Sequence, residues 1–423
     1  MQIKRCVTSE FKLGRESFTR CGKLSPELMI SLLVYMAADG GRRGYQHVLD
    51  AFWHEARANE VALPADEPVS TAAFCNARRK LAPAAVRQLL RDVSEEFDRL
   101  HGPRHRLHGR RVLAVDGSKM PVQRAPELWE AFGGPHDGHT PQISVSVLFD
   151  VIAKMPVDAV IDRCASDERG ELSRLLASTR EGDIVLLDRG YPSYVMIDLL
   201  FDHGLDFVVR VPAIGGFPAV EEFVRSGEDE ADIVLTPAPG SPAHLLQPRR
   251  LRAVRRIGSD GEVEVFLTTL PPNQFNHAAI CDLYRLRWQI ELFYRLEKSD
   301  YVGHHQFHAK YPDGVRQEVF AFLLYTAINR TLMAAAAKAS NVPYERISQK
   351  SAILATARVL TVLLLDAEPE HARELLAALL AHIASRLDPK HRERACPRRS
   401  FKPRSRWGPH GHVLARAKEA QLG

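Results

Sequence analysis

The sequence predicts an α/β fold flanked by helical regions at both ends. Two observations carry this. Apolar residues recur at helical spacing up to about residue 108, and again from Asn276 to Leu387. Between them lie short apolar runs of strand length, two of them ending on an aspartate, followed by a stretch rich in β-branched residues, glycine and proline.

Ser25-Pro26-Glu27 is a helix start: a hydroxyl N-cap, proline at the first position, then an acid near the positive end of the helix dipole. Leu28, Ile30, Leu32, Leu33 and Met36 follow as its apolar surface. Ser70-Thr71 opens a second helix, Ala72 to Leu81, carrying Arg78, Arg79 and Lys80. Pro83 opens a third, with Val86, Leu89, Leu90, Val93 and Phe97 on one face. The character changes at Arg111. Val112 to Val115 is a short apolar strand ending at Asp116-Gly117, and residues 141–149 and 155–161 read as two more strands. Glu171 to Thr179 is helical. Asp183 to Asp188 is a buried strand ending on an acid. FVVRVP, DIVLTP, LRAVRRI and VEVFLTTL supply four strands between residues 205 and 270.

A chain of 423 residues exceeds one ordinary core, so two or three domains are expected. With 45% hydrophobic and 26% charged residues it has the composition of a soluble globular protein. A membrane span needs about 20 apolar residues in a row, and the best run, Leu28 to Ala38, falls short. The first residues show no apolar signal segment. The six cysteines are scattered without a C-x-x-C pair, which argues against a zinc module or a disulfide framework. The expectation is a cytoplasmic protein with no membrane partner. The net charge of +5 is uneven: from Ile383 onward eleven Lys/Arg stand against three acids. A basic tail on a near-neutral body suits a polyanionic partner, and suits a solvated terminus equally well.

Asp116 and Asp188 share one setting, each closing an apolar strand before a glycine-containing turn. Either alone reads as a turn former. Tyr284, Arg287, Glu291 and Lys298 shift the balance. On a continuous helix, at offsets of three, seven and fourteen residues from Tyr284, they fall within an arc of about 60°. Leu283, Leu286, Ile290 and Phe293 occupy the opposite arc. Helix ion pairs account for Arg287, Glu291 and Arg295 but not for Tyr284 or Lys298. Trp288 and Arg295 lie beside the stripe, where Trp288 either packs or contacts a ligand. Three other features have structural explanations: His304-His305-x-x-His308 lacks a fourth metal ligand, Asp150, Asp158 and Asp162 read as turn or surface acids, and Arg78-Arg79-Lys80 suits a solvated helix face as well as one that docks on a polyanion. Glu168 is the runner-up for a third acid.

The pattern Y-x2-R-x3-E-x6-K at Tyr284, Arg287, Glu291 and Lys298 resembles the signature of the insertion-sequence-four family of DDE transposases. Asp116-Gly117-Ser118 resembles that family's first acidic motif and Asp188-Arg189-Gly190-Tyr191 its second. Ser70 to Leu81 and Pro397 to Pro409 are similar to its N-terminal helical region and basic ending.

The resemblance implies an RNase H-like catalytic core with a β-rich insertion subdomain between the second Asp and the Glu. Asp188 and Glu291 are 103 residues apart, which leaves room for one. The expected division is a helical DNA-binding region at 1–108, the core at 109–204 and 273–340, the insertion at 205–272, and a helical region with the basic tail at 341–423. The implied chemistry is cut-and-paste transposition. Asp116 would bridge two Mg²⁺ or Mn²⁺ ions, with Asp188 and Glu291 each completing one. Tyr284, Arg287, Lys298, Arg295 and Trp288 would contact DNA, and Phe266 or Trp288 would stack a flipped base. The expected partners are terminal inverted repeats, target DNA and a second copy of the chain in a paired-end complex, in the bacterial cytoplasm near the nucleoid. A nuclease of RNase H-like fold and a domesticated DNA-binding protein are the alternatives.

Overall fold

The structure is a computed structural model and describes residues 13, 18, 23–39, 43–135, 138–237, 239–240, 247–258, 261–296, 307–365 and 367–388. Lys298, His304, His305 and the basic tail from Lys390 onward lie outside the described residues.

Among the described residues four helices come first: α1 (Pro26–Ala38), α2 (Tyr45–Ala58), α3 (Thr71–Arg78) and α4 (Pro83–His101). Ser25 caps α1 by accepting from the Leu28 amide, and Ser70 caps α3 by accepting from Ala73. The eight strands are β1 (Val112–Pro121), β2 (Gln142–Asp150), β3 (Met155–Arg163), β4 (Ile184–Leu187), β5 (Asp206–Val211), β6 (Glu230–Leu235), β7 (Arg249–Ile257) and β8 (Val263–Thr268). Helices α5 (Pro126–Phe132), α6 (Glu168–Leu175), α7 (Tyr194–Asp202) and α8 (Pro218–Ser226) lie between them. After β8 come α9 (His277–Arg285), α10 (Trp288–Leu296), the long α11 (Pro312–Ser340), α12 (Gln349–Ala357), α13 (Leu360–Leu364) and α14 (Pro369–Ser385).

All eight strands form one sheet in the order β3-β2-β1-β4-β5-β8-β7-β6. The meander β1-β2-β3 is antiparallel, β4 and β5 run parallel to β1, and β8, β7 and β6 close the far side antiparallel. Side chains alternate across the sheet, so each strand feeds two cores. Val112, Ala114, Ile184 and Leu186 join the core built with α1, α4 and α11. Leu113, Val115, Val185 and Leu187 face the opposite layer, with Leu172 and Leu175 of α6 and Ile197 and Leu200 of α7.

Several expectations need correction. Asp116 does not end its strand: β1 continues to Pro121, paired with β2 at Asp116↔Val147 and Gly117↔Ser146. The β-rich stretch is present, but its strands extend the main sheet through β5 and β8 instead of standing apart. β5, counted with the insertion at the sequence level, is the parallel neighbour of β4. The N-terminal helices share a core with α11, and one compact unit runs to Leu387. Helix α11 is long and apolar enough to cross a membrane by length and composition, and 83% of its most apolar window is buried inside the protein.

The basic run of α3 is structural at its first member. Arg78 is 1% exposed, ion-paired to Glu318 at 2.9 Å and bonded to Gln317 and the Gly314 carbonyl. Asp158 is not a surface acid either. It is fully buried and accepts from Arg87, Arg91 and Ser178, tying α4 to β3. Asp150 is buried too, and accepts from the Ile152 and Ala153 amides in the β2–β3 turn. Asp162 pairs with Arg174. His308 bonds the Arg43 carbonyl and packs on Tyr45, which accounts for it without a metal.

Candidate active site

The site grows from the parallel register of β1 and β4. Ala114 lies opposite Leu186, so two residues further on Asp116 and Asp188 are neighbours at the edge where β4 ends. They have the same parity as Ala114 and Leu186, and so look toward the layer that contains α10. Asp116 accepts from the Gly117 amide at 3.0 Å, and Asp188 from Gly190 at 2.8 Å. These bonds tie the Asp116 carboxylate to the next residue of β1 and the Asp188 carboxylate to the turn after β4.

Helix α10 supplies the third acid. Ile290 and Phe293 are buried on the sheet, as the apolar arc predicts. One turn past Glu291, the Tyr294 hydroxyl lies 2.8 Å from the Asp116 carbonyl oxygen and 3.0 Å from that of Val145. This bond sets the height of α10 above β1. Tyr294 escaped the sequence reading, although its spacing of three residues from Glu291 put it on the same side of the helix.

The stripe itself is altered. The helix is interrupted at Leu286 and Arg287, where the amides of Leu286, Arg287, Gln289 and Ile290 each bond three residues back. That is the tighter 3₁₀ pattern, with about 120° per residue instead of 100°, so the arc expected for one continuous helix is not realised. Tyr284 is 7% exposed, its ring 4.6 Å from that of Phe266. The Arg287 guanidinium lies 5.7 Å above the Tyr284 ring and donates to Glu291 at 2.5 Å. Arg287 Nε is buried with no hydrogen-bond partner among the described residues. Trp288 is 47% exposed, with Arg295 over its ring at 5.7 Å. Phe266 is fully buried, which removes it as a stacking surface for an extruded base.

Electrostatics join these groups. Burial pushes the Asp116 carboxyl up to about 6; the Gly117 amide and Arg287 oppose the shift, and Asp188 and Glu291 add to it. Asp116 therefore feels both other acids and the cation that pairs with one of them. Beside Asp188 opens a cavity of about 390 Å³ lined by Arg189, Arg210, Glu262, Glu264, Tyr284 and Arg287. Arg210 is held by Glu264 at 3.2 Å. Residues around β8 thus border the site from the stretch expected as an insertion. Among the described residues no three His, Cys, Asp or Glu side chains converge closely enough to hold a metal ion as they stand. The reason is visible: Glu291 is turned to Arg287, and each aspartate is tied to an amide one or two residues along its own chain.

A family model described as "Transposase DDE domain" matches residues 107–329, which takes in β1 to most of α11 and all three acids. The transposase InsG of insertion sequence element IS4 from Escherichia coli (strain K12) is 24% identical over 412 residues, covering 94% of this chain and 88% of the relative. Among solved structures, a cryo-EM structure of the piggyBac transposase synaptic complex with hairpin DNA is similar at a TM-score of 0.46 and 11% identity, covering 87% of this chain and 79% of that one.

Proposed function

The chain belongs to the transposase DDE domain family and is a transposase, and from that premise we propose which of its residues cut and join DNA. The observation that supports the reading best is the charge of both Asp188 and Glu291 acting on Asp116, beside the edge where β1 passes the end of β4.

We assign these three carboxylates, Asp116, Asp188 and Glu291, as the residues that would hold two Mg²⁺ or Mn²⁺ ions. The donor set fits, since hard divalent cations take carboxylate oxygens. The charge fits as well, because two neighbouring acids act on Asp116 against the Arg287 cation. When bound, such ions activate water or a 3′-hydroxyl and stabilise the leaving oxygen. The chain's own task is to release Glu291 from Arg287. The freed guanidinium, with its buried Nε already lacking a partner, is then placed to take a DNA phosphate. Tyr284 supports Arg287 from below. Trp288 and Arg295 offer an exposed aromatic face and a charge for an unstacked base or the backbone, and Lys298 a further phosphate contact.

The strand order β3-β2-β1-β4-β5, antiparallel then parallel, supports an RNase H-like core over 109–204 and 273–340, extended by β5. The rest of 205–272, after β5, is the insertion that borders the site, 1–108 and 341–423 the flanking helical regions. The partners are terminal inverted repeats and target DNA, bound by a homodimer that pairs two ends in the bacterial cytoplasm near the nucleoid.

The test is a cleavage and strand-transfer assay on inverted-repeat DNA with Mg²⁺. Asp116→Asn, Asp188→Asn and Glu291→Gln should each abolish cleavage while leaving end binding intact. Near-normal cleavage by any of them would remove that residue from the triad.

A further inference from the structure

Helix α6 starts at the edge of the sheet where Asp116 and Asp188 lie, but from the layer opposite α10. Two anchors fix its first turn. Asp167 caps it, accepting from the Arg169 and Gly170 amides at 3.2 and 3.3 Å. Glu171, fully buried, accepts from Ser144, Ser146 and Ser166. Glu168 is the first residue of the helix, between these anchors, and neither bond involves it.

Its carboxylate reaches over the sheet edge. A methyl group placed on Gly117 would meet Glu168 Oε1 at 3.5 Å and Ser146 Oγ at 3.3 Å. One placed on Gly190 would meet Glu168 Oε2 at 3.8 Å and Asp188 Oδ1 at 3.2 Å. The carboxylate therefore spans the gap between the glycines of the two aspartate motifs. Gly117 has the parity of Leu113 and Val115, which face the α6 layer. The lack of side chains at these two positions is what opens the notch through which Glu168 approaches. An acid in the first turn of a helix is ordinary, because the helix dipole favours it. The dipole does not explain placement beside Asp188, which works against ionisation: burial and the Asp188 charge both push the Glu168 carboxyl up.

A second observation points the same way. Tyr191, in the second motif, is 1% exposed, and its hydroxyl has no hydrogen-bond partner among the described residues. Besides burial, the charges of Glu168, Asp116, Asp188 and Glu171 act on that hydroxyl. It is a buried donor that feels the charge of these carboxylates and has no acceptor in reach, an arrangement that native proteins rarely keep without a ligand or water to complete it.

We propose that Glu168 is a fourth carboxylate of the metal site, facing a hard divalent cation at Asp116 and Asp188 from the side of the sheet opposite Glu291. Tyr191 is a positioning residue that donates to these carboxylates once the cation draws them together. The inference rests on the assignment of Asp116 and Asp188 as metal ligands.

The experiment is calorimetric titration of the full chain with Mn²⁺ alone, without DNA. Glu168 is exposed, so its replacement is compatible with folding, and thermal melts check this. Glu168→Gln should weaken Mn²⁺ binding tenfold or more at an unchanged melting midpoint. Glu168→Asp should restore part of the loss, and Tyr191→Phe should weaken binding a few-fold. Asp116→Asn, measured alongside, reports on the triad. Loss of Mn²⁺ binding in Asp116→Asn together with an affinity within twofold of wild type in Glu168→Gln would overturn the role of Glu168 alone. Wild-type Mn²⁺ binding in Asp116→Asn would overturn the triad, and this inference with it.

Discussion

Arg287 and Glu291 are joined across the 3₁₀ turn between two helices, Arg287 Nη2 donating to Glu291 Oε1 at 2.5 Å. The same guanidinium bears on Asp116 and lies over the Tyr284 ring. Arg287 therefore offsets part of the repulsion among these acids when no metal is present. The pair is partly exposed, with side chains 15% and 28% accessible, so it is a modest interaction that a better partner can displace.

Replacing Arg287 separates its two tasks. Arg287→Gln should leave Glu291 free for metal and raise Mn²⁺ affinity a few-fold in the absence of DNA. It should also weaken binding to transposon ends and reduce the slope of log affinity against log salt by about one unit. Anisotropy titrations at several salt concentrations measure this, and an unchanged slope would remove Arg287 from the phosphate contacts.

Metal should stabilise the fold, because it relieves the mutual repulsion of the carboxylates. At a hundredfold excess over its dissociation constant, Mg²⁺ should add about 2.7 kcal/mol to the unfolding free energy of the wild type. In Asp116→Asn most of that increment should vanish. Melting curves with and without Mg²⁺ decide it, and equal increments in both proteins would place the ion elsewhere.

Tyr294 tests whether the height of α10 above β1 matters for chemistry. Tyr294→Phe removes one buried hydroxyl that lies against two carbonyls, and should cost about 1–2 kcal/mol of stability. If Glu291 depends on this contact for its position, cleavage should fall at least tenfold at temperatures where the variant is fully folded, with end binding unchanged. Cleavage that merely follows the folded fraction would make Tyr294 a packing residue only.

Asp158 gives a prediction with a definite pH sign. Burial alone would raise its carboxyl, but hydrogen bonds from Arg87, Arg91 and Ser178 outweigh that and hold it below the usual range. A depressed folded-state pKa stabilises the fold above the unfolded value near 4, and the stabilisation is lost as pH falls through the folded value. Asp158→Asn should therefore destabilise the protein at pH 7 by about 2–3 kcal/mol, less than for a fully buried pair because Arg87 and Arg91 are 29% and 30% exposed. The difference from wild type should shrink below pH 4, as denaturant melts at pH 7 and pH 3.5 would show.

What the sequence could reveal follows the range of the forces involved. Caps and periodicity are local, so Ser25, Ser70 and the apolar face of α4 were legible without any partner in view. The motif acids were legible because two apolar runs stop at them. The course of β1 was not, because Asp-Gly-Ser reads as a turn. In the structure Gly117 lies outside the left-handed region and continues the strand against Ser146. The kink at Leu286 and Arg287 has neither glycine nor proline to announce it. Arg78 illustrates the largest gap. In a basic run it reads as solvated, and its partner Glu318 is 240 residues away, where no window can find it.

Two aromatic residues near the site make opposite predictions, and together they test where an extruded base would go. Phe266 is fully enclosed between Tyr284 and the β-sheet core, so Phe266→Ala should cost about 3–5 kcal/mol through lost burial and the cavity left behind. Its effect on DNA processing should track the loss of folded protein. Trp288 is 47% exposed and carries Arg295 on its face, so Trp288→Ala should change stability by no more than about 0.5 kcal/mol. If Trp288 stacks an unpaired base, its loss should weaken processing of the ends by about 1–3 kcal/mol in apparent free energy. A DNA end with an abasic residue at the extruded position should then process equally well in wild type and Trp288→Ala, because neither has a base to stack. A full defect of Trp288→Ala on the abasic end would show that the indole packs the protein or contacts the backbone instead.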